Sequence, residues 1–248
     1  MADVINYRDD IIMDTFRLEV TERMGTDAWE DLTRDIGVPD IEKEGNCGCQ
    51  TMRELLRRLN KAAGPDLAKE IMSHVRHGLK PSQFAWAKEK FESSGRNVDR
   101  FLAENDREQR DLFEKLCATG ESFYGQPITQ EVLDFVLSQP GMLSAVRKGN
   151  ELHITAFPFD MARYLNETNH RKKRYHACHC PFARASILRE GEEVSRTMCY
   201  CSLGHAKVMW EAIFERDLGG DVLSSVLGGD LMCKYVIYLP EDIITQYT

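Results

Sequence analysis

Three Cys-x-Cys pairs, Cys47-Gly-Cys49, Cys178-His-Cys180 and Cys199-Tyr-Cys201, take six of the eight cysteines in this 248-residue chain. Thiols are scarce in ordinary soluble proteins and are kept mostly for metal affinity or reactivity. Two of the pairs share one short segment, with His176 and His179 interleaved and the basic run Arg171-Lys172-Lys173-Arg174 just before. Cys178, Cys180, Cys199 and Cys201 form a candidate tetrahedral thiolate site for zinc, with His176 as a substitute ligand. Four thiolates close such a site around a structural ion, so a catalytic version needs one fewer. In that version the metal polarises a bound water or a substrate C=N bond, and His176 or His205 moves the proton. Cys199 is the thiol assigned to the mechanism. Arg174, in the basic run, would hold a substrate carboxylate, and Cys233 is either core or a wall of the same pocket. Two other readings stay open: reduced structural cysteines, and redox or nucleophilic chemistry. Cys-x-x-Cys, the more diagnostic zinc spacing, is absent.

The charge pattern narrows the partners. A formal net charge of −8 argues against nucleic-acid binding. Residues 1–50 hold 13 acidic and 5 basic residues, whereas residues 171–210 hold 8 basic and 3 acidic. The cysteine-rich segment is thus an electropositive island, expected to lower thiol pKa values and to favour a small anionic molecule. No apolar run reaches the length of a membrane span, and the first residues lack a secretory pattern. A cytoplasmic protein with reduced thiols is expected, with a homo-oligomer compatible but unspecified.

The elements that must position these residues divide by periodicity. Up to about residue 140 the pattern is helical: Met52, Leu55, Leu56 and Leu59 recur at three- and four-residue spacing, and Gly64 and Pro65 separate that helix from the next. Thr129 is a helix N-cap ahead of Val132, Leu133 and Val136. From residue 141 the signal changes. Residues 152–156 alternate like a half-buried strand, and Gly228-Gly229-Asp230 joins two strands as a hairpin. Residues 174–180 also read as extended, which places His176, Cys178 and Cys180 on one face. A helix over 201–217 carries the stripe Leu203, Ala206, Met209, Trp210, Ile213 and Phe214 and opens at the last cysteine pair. There the helix dipole would favour thiolates. If it begins earlier, the Cys199 and Cys201 side chains diverge by about 200°. The expected fold class is α+β, with a helical region 1–140 and a cysteine-rich α+β region 141–248 built on a small antiparallel sheet.

A resemblance appears at Cys180-Pro-Phe-Ala183, at Cys201-Ser-Leu-Gly-His205 with its apolar helix, and at the hairpin ending in Cys233. Over roughly residues 174–239 the chain resembles the bacterial L-2-amino-thiazoline-4-carboxylic acid hydrolase-like family. It also resembles the vinyl-reductase-type ligand-binding domain. In the latter, Cys201 and Cys233 are the positions that carry over. The first resemblance implies a hydrolase acting on a small carboxylate-bearing C=N or C–N substrate. The second implies a ligand-sensing or interaction domain without chemistry.

Overall fold

The computed structural model describes residues 9–41 and 49–247. The fold is α+β: the N-terminal half is helical, and two small antiparallel sheets lie in the C-terminal half. The helices α1 (Asp9–Met24), α2 (Ala28–Thr33) and α3 (Cys49–Val75) come first. α4 (Ala85–Ser93) and α5 (Val98–Thr119) follow. Gly64 interrupts α3 with φ 77° and ψ 164°, and Pro65 restarts it. Proline lacks the N–H that a helix interior needs but suits a first turn, so this break was legible in the sequence.

A two-stranded ribbon, β1 (Ser122–Phe123) with β2 (Gln126–Pro127), leads into α6 (Gln130–Ser138). The Thr129 side chain caps α6 by accepting the Val132 N–H. Then come β3 (Val146–Lys148), β4 (Glu151–Thr155), α7 (Met161–Asn166) and α8 (His170–Ala177). α9 (Cys199–Phe214), β5 (Gly219–Ser224), β6 (Lys234–Tyr238) and α10 (Glu241–Tyr247) close the chain. The four-stranded sheet has the order β3-β4-β6-β5 and is antiparallel throughout.

The strand expected over residues 174–180 is instead α8, a correction with a local cause. The Asn169 side chain accepts the Lys172 N–H and caps the helix. Six of the eight residues that follow are basic, histidine included, and they project around the axis rather than alternating. The alternation of His176, Cys178 and Cys180 straddles the helix end: Cys178 has left the helix, with φ −77° and ψ 122°. A period-two pattern so short could not outweigh a capped helix.

α9 is the hub of the molecule. It packs against α3 and α4 on one side and meets β5 and β6 on the other. Gly204 permits this, because a Cβ there would sit 2.1 Å from the Ser73 carbonyl oxygen. One hydrophobic core runs from Phe16 and Val20 through Met52, Leu56 and Met72 to Phe182, Leu203, Val222 and Tyr235. The core is therefore continuous across residue 140. A second cluster, around Phe101, Trp210 and Ile237, continues along the same face of the sheet, since Tyr235 of the first core and Ile237 of the second stand two residues apart on β6.

Candidate functional site: a buried thiol array

Each cysteine of the array reaches its place by a different local device, with Cys180 and Cys233 ending half-buried. Beyond the end of α8, Cys178 and Cys180 lie on an extended stretch that Pro181 terminates. The Ala183 and Arg184 N–H groups then turn back onto the Cys180 carbonyl at 3.2 and 2.9 Å. Cys199 and Cys201 occupy the first turn of α9, behind a short 3-10 turn, Arg196–Met198, capped by the Ser195 side chain. Cys233 immediately precedes β6, where its sulfur accepts the Val226 N–H at 3.5 Å. Cys49 opens α3, and its sulfur faces the N–H groups of Ala185 and Ser186.

These sulfurs share one neighbourhood. Cys180 is in electrostatic reach of Cys201, Cys199 and Cys49. Cys199 feels Cys233 and Cys178 and takes a hydrogen bond from the Ser225 side chain. Cys178 feels Cys180 and Cys233. The helix begins at Cys199, so the first-turn pair diverges: Cys199 turns toward the Cys233 side, and Cys201 accepts the His77 N–H at 3.4 Å. Cys180 alone feels both. Cys47 lies outside the described residues, and Cys117 sits apart on α5 against the cluster around Phe113. Among the described residues, no three His, Cys, Asp or Glu side chains already stand in a metal-holding arrangement.

The expectation of acidified thiols is overturned. Burial pushes Cys178, Cys180 and Cys199 well above the ordinary thiol value and Cys201 up to about 12. Cys49 and Cys233 are raised as well, again chiefly by burial. The basic run does not compensate, because Arg171, Lys173 and Arg174 are engaged elsewhere and Lys172 is exposed to solvent. Arg171 pairs with Glu193 at 3.5 Å, and Lys173 lies over the Tyr164 ring. Desolvation outweighs a positive region that is several residues away.

Arg174 likewise has its charge engaged by the protein itself. It is buried, and its guanidinium donates from Nε to the Val226 carbonyl at 2.7 Å and from Nη2 to that of Leu227 at 3.4 Å. It ties α8 to the turn that joins β5 and β6. Cys233 does line the array, beside Tyr235, Cys199 and Cys178.

Three histidines stand on the Cys201 side. The rings of His77 and His205 are 4.9 Å apart, and both feel His179. Burial lowers His205 to about 4 and His77 well below its usual value, so both are neutral near pH 7. His179 keeps a solvent-facing edge although protein surrounds the rest of it. Its Nε2 lies 2.7 Å from the Phe157 carbonyl, which makes Nε2 the protonated nitrogen and leaves Nδ1 as an acceptor. Ser202 Oγ lies 3.4 Å from His77 Nε2. His176 does not join this group. Its electrostatic neighbours are Asp160, Arg184, Arg163 and Glu167, and its buried Nδ1 has no hydrogen-bond partner among the described residues.

Sequence reasoning had no companion for His77. The only local signal was Gly78, which ends the helical pattern right after it; in the structure Arg76, His77 and Gly78 all have positive φ. Left-handed backbone at two consecutive non-glycine residues is strained and is kept only where surrounding contacts enforce it. Here Arg76 is held by Glu211 at 2.9 Å and Asp217 at 2.8 Å. Comparison with family models, with curated proteins and with solved structures finds no match for this chain.

Proposed function

We propose that this protein binds a soft divalent metal ion, zinc being the simplest, at the thiol array, and that a small anionic molecule enters beside it. The observation that carries this reading is the gathering of cysteines from four separate stretches, at 49, 178–180, 199–201 and 233, into one buried neighbourhood next to neutral imidazoles. The donor set fits such an ion. Thiols kept protonated by burial become good ligands as soon as a cation supplies the missing countercharge. Cys180, in reach of both Cys199 and Cys201, is the common ligand, with Cys178 or a neutral histidine completing the set.

A bound ion would supply Lewis acidity toward a water or a C=N bond. The chain's own groups account for the rest. The neutral His205 and His77 can accept a proton, and His179 stands in electrostatic reach of both. Burial of the thiols keeps bulk water from the sulfurs. This supports a hydrolase acting on a small carboxylate-bearing C=N or C–N substrate. The rival is a ligand-sensing domain that uses the same pocket without turnover.

Elemental analysis of anaerobically purified protein tests the metal. About one equivalent of zinc, lost in Cys180→Ser, is expected; no metal in wild type removes the reading. Hydrolysis of 2-amino-thiazoline-4-carboxylate, with and without Cys199→Ser, then separates enzyme from sensor. Turnover abolished by the substitution favours the enzyme, and a metal-loaded protein without turnover favours the sensor.

A further inference from the structure

Both arginines of the basic run before the cysteines are spent on structure, but the Nη edge of one arginine after them is not. Arg184 lies with its guanidinium carbon 4.1 Å from the centroid of the Tyr175 ring and 4.1 Å from that of Phe159. Its Nε donates to the Tyr175 carbonyl at 2.9 Å. Two rings and one hydrogen bond fix the plane of the group and leave its outer edge pointing away from the backbone it grips. Neither Nη nitrogen has a hydrogen-bond or carboxylate partner among the described residues, and neither is sealed from solvent. Sandwiching between rings stabilises a guanidinium while leaving its two-pronged donor edge unused.

The position of this edge matters as much as its freedom. Arg184 closes the turn onto the Cys180 carbonyl, so it is tied to the second cysteine pair by a single hydrogen-bonded loop. Its charge is felt by His176, Cys178 and His179. The Phe159 cap is itself exposed, and the His179 ring meets it edge-on at 5.5 Å. Phe159, Arg184, His179 and Cys180 thus follow one another in contact, with the buried imidazoles in electrostatic reach of His179.

We propose that Arg184 is the anchor for the carboxylate of the small molecule that enters the thiol array. A planar carboxylate matches the free Nη edge with two parallel hydrogen bonds, and the molecule's uncharged end then lies toward His179 and Cys180. Arg184 thereby takes the role that the sequence suggested for Arg174. The inference rests on the proposed ligand-binding reading of the array but not on the metal.

Calorimetric titration of the purified protein tests it with two matched pairs: 2-amino-thiazoline-4-carboxylate against its carboxamide, and mercaptoacetate against mercaptoacetamide. Wild type should bind at least one carboxylate about tenfold or more tightly than its amide, the gain of a charge-assisted pair. Arg184→Met should bring that ratio close to one, and Arg184→Lys should restore part of it. Circular dichroism and thermal melting confirm that each variant is folded. Equal affinities in wild type, no binding of either carboxylate, or an unchanged ratio in Arg184→Met would each overturn the assignment. Metal content measured on the same samples separates the two claims. A charge preference without metal leaves Arg184 standing and removes the metal site, and metal without a charge preference does the reverse.

Discussion

The main-chain N–H of His77 points at Cys201 Sγ across 3.4 Å, which latches the turn that ends α3 to the first turn of α9. The latch holds because Arg76, one residue earlier, is anchored on Glu211 and Asp217 from the far end of the same helix and its following turn. The left-handed backbone of both residues follows from that double grip.

Gly204→Ala should loosen this junction. A methyl group there would meet the Ser73 carbonyl oxygen, a backbone atom that cannot swing aside. Separating α9 from α3 should cost about 1–3 kcal/mol, the usual range for overpacking in a tight interior. Urea denaturation checks this. An unchanged midpoint would mean that the two helices slide apart without loss.

The neutral thiols give the protein an alkaline limit. Cys201 is raised from 9.0 to about 12, so the unfolded chain loses this proton before the folded one. The stabilisation is complete below pH 9 and declines as pH climbs toward 12. At pH 10.5 it should amount to roughly 2 kcal/mol lost, at about 1.4 kcal/mol per pKa unit. Urea midpoints between pH 8 and 10.5 should therefore fall more steeply in the metal-free wild type than in Cys201→Ala. Parallel slopes would contradict the assigned burial.

The imidazoles set an acid limit of opposite sign. His205 is lowered to about 4, so the unfolded chain takes up a proton first as pH drops. The stabilisation is intact above pH 6.5 and is lost as pH falls through about 4, roughly 3 kcal/mol at the lower end. In His205→Gln the loss of stability between pH 6.5 and 4 should be shallower. A His205 resonance, assigned by its loss in His205→Gln, that titrates near 6.5 in the native protein would refute the buried neutral state.

Arg174→Met should destabilise without altering ligand choice. It strands the Val226 and Leu227 carbonyls, which now accept from a buried guanidinium. Losing charge-assisted bonds of this kind costs about 2–4 kcal/mol. Thermal melting should drop while any preference for carboxylate over amide ligands is retained. Lost preference with unchanged stability would move the anchor back to Arg174.

The α+β class, the break at Gly64 and Pro65, the Thr129 cap and the β5–β6 hairpin were all readable along the chain. Each is decided by neighbours within a few residues: the rigid ring of a proline, a hydroxyl three positions from an N–H, an alternation of apolar side chains. The cysteine pairs also stood out along the chain, because their spacing is unusual wherever they end up. Tertiary structure decided the rest. Whether 174–177 is helix or strand, which way Cys199 and Cys201 face, and that His77 belongs beside His205 depend on what packs against them. The direction of the thiol shifts shows the same physics: counting nearby lysines and arginines pointed down, while the hydrocarbon brought in from α3, α9 and β6 pushed up. Desolvation sums over atoms contributed by distant segments, and no local stretch of sequence records that sum.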